Sequence, residues 1–95
     1  MPMHSPAHPG QLLREHMGEK ITVSALARHL GMTRANLSMI LNGRLGFTAA
    51  TALKLSQAFP VWDAEFWLGL QTYYDLAQAR KKKRKTIKPM LAKAG

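Results

Sequence analysis

Ten residues, Thr33 to Asn42, hold the side chains of this 95-residue chain best suited to specific recognition. On a helix, Leu37, Ile40 and Leu41 recur at inward-facing spacings. The outward set is then Thr33, Arg34, Ala35, Asn36, Ser38, Met39 and Asn42, mostly short and hydrogen-bonding, with one Arg near the start. Such a face fits the major groove of DNA. Arg34 matches the O6/N7 edge of guanine and Asn36 the N6/N7 edge of adenine. Thr33, Ser38, Asn42 and Ser24 suit phosphate oxygens, helped by the partial positive charge of a helix N-terminus. Arg44, just past the helix, completes the expected DNA-contacting set. The competing reading is a solvated face in a small helical bundle.

Other chemistry finds little support. The chain has no Cys, which removes disulfides, thiolate metal sites and Cys nucleophiles together. His4 and His8 flank Pro6 in a leader where no helix sets them on one face, and no carboxylate stands near, so a metal site is not expected. His16 and His29 are isolated. Glu15 and Glu19 read as a solvated i,i+4 pair, and Glu65 complements the dipole at the start of its helix. Gly-rich phosphate loops and nucleophile elbows are missing. The expectation is no enzyme, no metal and no cofactor.

The elements that must position the recognition face follow from local signals. Pro9 suits a first helical position, opening a helix through Leu12, Leu13, His16 and Met17 that ends near Gly18. Thr22 can cap Val23 to Leu30, and Gly31 stands where a helix end wants a left-handed residue. Thr33 can cap Arg34 to about Leu41, closed by Asn42-Gly43. Thr48 can cap a fourth helix to Phe59, stopped by Pro60, and a fifth runs from Ala64 to about Arg80. No useful β-alternation appears, so the fold class is all-α. Two short helices joined at Gly31, with small Ala27 at their crossing, match a helix-turn-helix. Met32 is placed to plug the edge of their shared core.

Charge divides the chain. Residues 1–79 carry six basic and five acidic side chains, whereas residues 80–95 carry eight basic ones and no acid, within a total of +9. Residues 1–8 read as a flexible leader, 9–80 as the domain and 81–95 as a basic, disordered tail. No apolar run is long enough for a membrane span and no signal peptide opens the chain, so a soluble, cytoplasmic protein is expected.

The fifth helix carries more large apolar groups than one face of a small domain usually buries. Phe66, Leu70, Tyr73 and Ala77 form one stripe; Trp67 and Tyr74, with Leu70 shifted slightly, form another. Phe66, Trp67, Leu70, Tyr73, Tyr74 and Ala77 are therefore the dimerisation candidates, one stripe of them facing a second copy, because twofold dimers are the common way to read paired half-sites.

From about His8 to Arg80 the sequence resembles the HigA family of antitoxins, within the Cro/cI-repressor-like group. The resemblance rests on His8-Pro9-Gly10, on the helix-turn-helix around Leu26-Ala27 and Gly31, and on Asn42-Gly43. It continues through Ala52-Leu53, Glu65-Phe66-Trp67-Leu68, Leu70-Gln71 and Tyr74-Asp75-Leu76. It implies a five-helix, lambda-repressor-like fold and a homodimer that binds an operator ahead of a two-gene operon. It also implies neutralisation of a RelE-like messenger-cleaving toxin. Ala64 stands where the family usually has Pro, and the run Arg80 to Lys85 departs from the family pattern. A stand-alone regulator, or a toxin-binding module with vestigial DNA binding, are the alternatives.

Overall fold

A computed structural model describes residues 7–82 and 84–91. Its elements are α1 (Pro9–Met17), α2 (Val23–Leu30), α3 (Arg34–Leu41), α4 (Ala49–Ala58) and α5 (Ala64–Lys81), with no strand among the described residues. The all-α expectation and the five elements stand, with α4 ending one residue earlier than read, at Ala58, and α5 one residue longer.

Side chains start each helix by accepting a hydrogen bond from an otherwise unpaired backbone N–H. Thr22 Oγ1 accepts from Ala25 at 3.0 Å, Thr33 Oγ1 from Asn36 at 3.1 Å and Thr48 Oγ1 from Thr51 at 3.2 Å. Asp63 Oδ1 accepts from Phe66 at 2.8 Å and so caps α5. Gly31 ends α2 at φ 70° and ψ 33°, and its N–H reaches the carbonyls of Ala27 and Arg28. A side chain is disfavoured in that left-handed region, which is why the sharp turn between α2 and α3 falls on glycine.

The core draws on every helix: Leu13 and Met17, then Leu26, Ala27 and Leu30, then Leu37, Ile40 and Leu41, then Phe47, Ala52, Leu55 and Trp67. Met32 is half-buried at its edge, as expected. Helix α5 packs chiefly on α4 and also on α1, while α3 packs between α1 and α2. Trp67 is fully buried and meets Phe47, Trp62 and Phe66 edge to face, at centroid distances of 5.5, 5.4 and 5.7 Å. His16 closes one side of this aromatic group, 4.7 Å from both Phe59 and Trp62.

Gln71 is the buried polar side chain among the core residues. Its Oε1 accepts from the Phe47 N–H at 2.9 Å, and its Nε2 donates to Asp75 Oδ1 at 3.0 Å. Both ends of the amide are therefore satisfied, and α5 is tied to the loop between α3 and α4. Sequence reading noted Gln71 only as a motif letter.

The leader expected over residues 1–8 takes in one residue that belongs to the domain. His8 caps α1, with Nδ1 accepting from Gly10 N–H at 2.9 Å, and its ring meets Tyr74 edge-on at 4.8 Å. Residues 1–6 of that leader, His4 included, lie outside the described residues, as do Lys83 and 92–95 of the tail. Burial holds the His8 imidazole below its usual value of 6.5, and the Asp75 carboxylate opposes this without reversing it. Protonating Nδ1 would also remove the acceptor that caps α1. The stability supplied by neutral His8 is complete above the unfolded value of about 6.5 and is lost as pH falls through the lowered folded value. Urea melts across that window should show stability declining on acidification. His8→Asn, which keeps a capping acceptor that does not titrate there, should flatten the decline.

Candidate DNA-binding site

Helix α3 turns Leu37, Ile40 and Leu41 into the core and leaves the remaining arc outside. Thr33, Arg34, Ala35, Asn36, Met39 and Asn42 are exposed and Ser38 is half-buried. At 100° per residue the outward positions cover about 200° of the helix, wide enough to meet a groove floor and its walls. The face is held from behind. Ile40 packs in the core, and its carbonyl lies against Gly10 of α1, where a Cβ would overlap it.

The outward residues differ in what they have left to offer. Thr33 Oγ1 accepts the Asn36 N–H in its capping role, which leaves its hydroxyl proton available to a phosphate oxygen. Asn42 is less free than the sequence implied. Its Oδ1 accepts from Arg14 Nη2 at 3.1 Å and its Nδ2 approaches Ser38 Oγ at 3.4 Å. Arg14 of α1 therefore stands beside the C-terminal end of α3, a cation that sequence reading did not place there. Only tertiary packing brings these two residues together across 28 positions. Ser24 is exposed in the first turn of α2. Arg44 is exposed too, and its backbone N–H bonds to the Met39 carbonyl at 2.8 Å, fixing the chain where it leaves α3.

Residues 12–61 match the helix-turn-helix family. The chain belongs to that family. It is 48% identical over 77 residues to virulence-associated protein A′ of Dichelobacter nodosus, a match covering 80% of this chain and 67% of the relative. Its fold is that of an addiction module antidote protein of the HigA family from Coxiella burnetii, with TM-score 0.78, 41% identity, and 82% and 86% of the two chains covered. It is similar as well to Pseudomonas aeruginosa antitoxin HigA, solved with the higBA promoter, with TM-score 0.78, 35% identity, and 90% and 99% covered.

In this helix-turn-helix protein the two apolar stripes expected on α5 divide differently from the sequence reading. Trp67 is fully buried inside one chain and has no surface for a partner, so its assignment to a dimer seam is corrected: its rings are matched by Phe47, Trp62 and Phe66. Phe66 is half-buried and stacks on Trp62 at 5.0 Å, and half-buried Tyr74 lies against His8. The exposed large apolar residues of the helix are Tyr73 and Leu76, 61% and 46% exposed, flanked by half-buried Leu70 and Ala77. Leu76 was not in either stripe.

Among the described residues no group of three or more His, Cys, Asp or Glu side chains is placed to hold a metal ion. No helix of the described residues is long and apolar enough to cross a membrane.

Proposed function

We propose that this protein is a sequence-specific transcriptional repressor and the antitoxin of a two-gene module, working in the cytoplasm. The observation that carries the reading is the division of labour on α3. Leu37, Ile40 and Leu41 account for its packing, so Arg34, Ala35, Asn36 and Met39 have no structural duty and stand ready for base edges. Thr33, Ser38 and Ser24 supply hydroxyls for phosphates, and Arg44 with the Arg14–Asn42 pair supplies cations at the far end.

The chain works as a homodimer through Tyr73, Leu76, Leu70 and Ala77, so that two α3 helices address paired half-sites. Antitoxin activity is supported by the likeness to the HigA-family antidote protein of Coxiella burnetii and to antitoxin HigA of Pseudomonas aeruginosa. The target of that activity is a RelE-like messenger-cleaving toxin encoded beside it.

A gel-shift titration against the DNA immediately upstream of its own gene tests the repressor, and co-purification with the product of the adjacent small gene tests the antitoxin. The proposal expects a discrete shifted band at protein concentrations far below those needed for shuffled DNA. It also expects a stable complex with the neighbour's product. Equal affinity for both duplexes removes the repressor; a neighbour that neither binds nor is toxic removes the antitoxin.

A further inference from the structure

The domain's own function leaves the charge beyond α5 without a role. Residues 80–95 hold eight of the fourteen basic side chains of the protein and no acid. Arg80 and Lys81 complement the C-terminal dipole of α5, which accounts for two. Six more follow the helix end. At Lys82 the backbone turns extended (φ −79°, ψ 138°), and Arg84 to Leu91 are exposed without regular structure. Arg80, Lys82, Arg84 and Lys85 line one open cleft with Thr86 and Ile87. Four like charges gathered on one concavity repel one another and attract a polyanion.

The fold also roots the helix that carries this segment near the C-terminal end of α3. Gly10 lies against the Ile40 carbonyl near the end of α3, and the His8 ring sits 3.6 Å from where a Gly43 Cβ would stand. That same ring touches Tyr74 of α5. The last turns of α5 therefore begin two contacts away from the C-terminal end of the recognition helix. From Tyr74 to Lys81 the helix advances about 10 Å. The ten residues from 82 to 91, fully extended, add up to about 33 Å. This is close to one turn of DNA, about 34 Å.

We propose that the segment after α5 is a second DNA-binding element, an arm that follows phosphates flanking the operator. Lysines on an exposed, irregular segment suit this task, being flexible point charges without the fixed geometry needed to read bases. The arm adds affinity for any duplex and leaves the choice of sequence to α3. The proposal rests on the reading that α3 faces DNA.

The test compares the full chain with a full-length variant in which Lys82, Arg84, Lys85 and Lys88 are all replaced by Gln. Arg80 and Lys81 are kept so that α5 retains its terminal charges. Binding to the upstream DNA and to a shuffled duplex is titrated at several salt concentrations. Each phosphate contact contributes about 0.9 to the slope of log K against log salt, so four contribute about 3.6 per chain. The expected result is a slope shallower by several units on both duplexes, with the affinity ratio between them unchanged.

Slopes that match wild type on both duplexes overturn the arm, as does a variant whose loss of affinity is confined to the upstream DNA. Vesicles containing phosphatidylserine serve as the other polyanion, since Ile87, Met90 and Leu91 are exposed beside the cations. Tail-dependent vesicle binding with unaltered DNA slopes would place the segment on a membrane surface and also overturn the proposal. A failure of α3 looks different: wild type then shows no preference for the upstream DNA, whatever the tail does to the slopes.

Discussion

Trp67→Ala should cost about 3–5 kcal/mol of folding stability, the range for removing a fully buried large aromatic. Against the 5–15 kcal/mol that holds a typical domain together, this is a large fraction. The indole is wholly inaccessible, and three aromatic rings close around it at 5.4 to 5.7 Å. Truncation leaves a cavity bounded by side chains from α5 and from the two loops on either side of α4. Its Nε1–H has no hydrogen-bond acceptor, so no lost polar contact complicates the reading. Urea denaturation followed by circular dichroism should show a midpoint lowered by the same amount at all protein concentrations. A variant that stays fully folded but sediments as a smaller species would instead return Trp67 to a subunit interface.

The second large effect is expected at Gly10. A Cβ built there would overlap the carbonyl oxygen of Ile40 and approach its carbonyl carbon at 2.9 Å. Backbone atoms cannot swing aside as a side chain does, so α1 must lift from α3. That lift disturbs Leu13 and Met17, which α1 seats in the core. Gly10→Ala should therefore cost about 3 kcal/mol, at the upper end for overpacking, although alanine is the better helix former. Thermal melts measure this directly; an unchanged or higher melting temperature would show that the two helices are not pressed together as described. Because Ile40 belongs to α3, the surviving folded protein should also bind operator less well.

The parts of this architecture that were legible in the sequence are those set within a few residues. Thr22, Thr33 and Thr48 announce their helices because an N-cap acts only two or three positions ahead. Gly31 and Pro60 mark ends for equally local reasons. The outward face of α3 was legible because three apolar positions define its inner side without ambiguity. Helix α5 was not, since apolar groups surround it and periodicity alone cannot separate core from seam. Trp67 was placed in the seam and Leu76 was passed over. Only the positions of α1, α4 and the loop at Phe47 decide between them.

His8 was counted into the leader because Pro2, Pro6 and scattered polar groups give that stretch a disordered composition. Its ties to Gly10 and Tyr74 lie two and sixty-six residues away, and the longer one depends on the finished fold. Arg14 at Asn42 and Phe47 at Gln71 are missed for the same reason: each pair joins elements that the chain brings together only after several turns. What local rules set was the existence of a recognition helix. What tertiary packing set was which of its side chains remain free.

The central claim is that α3 reads DNA sequence, and Arg34 bears most of it. The decisive measurement is the affinity of Arg34→Ala for the upstream DNA, beside wild type and at one fixed salt concentration, with melting curves of both. A bidentate Arg–guanine contact discriminates by about 1–3 kcal/mol, so affinity should fall roughly tenfold to a hundredfold while the melting temperature holds. Wild-type affinity in a folded Arg34→Ala protein would contradict the assignment of α3 as the reader.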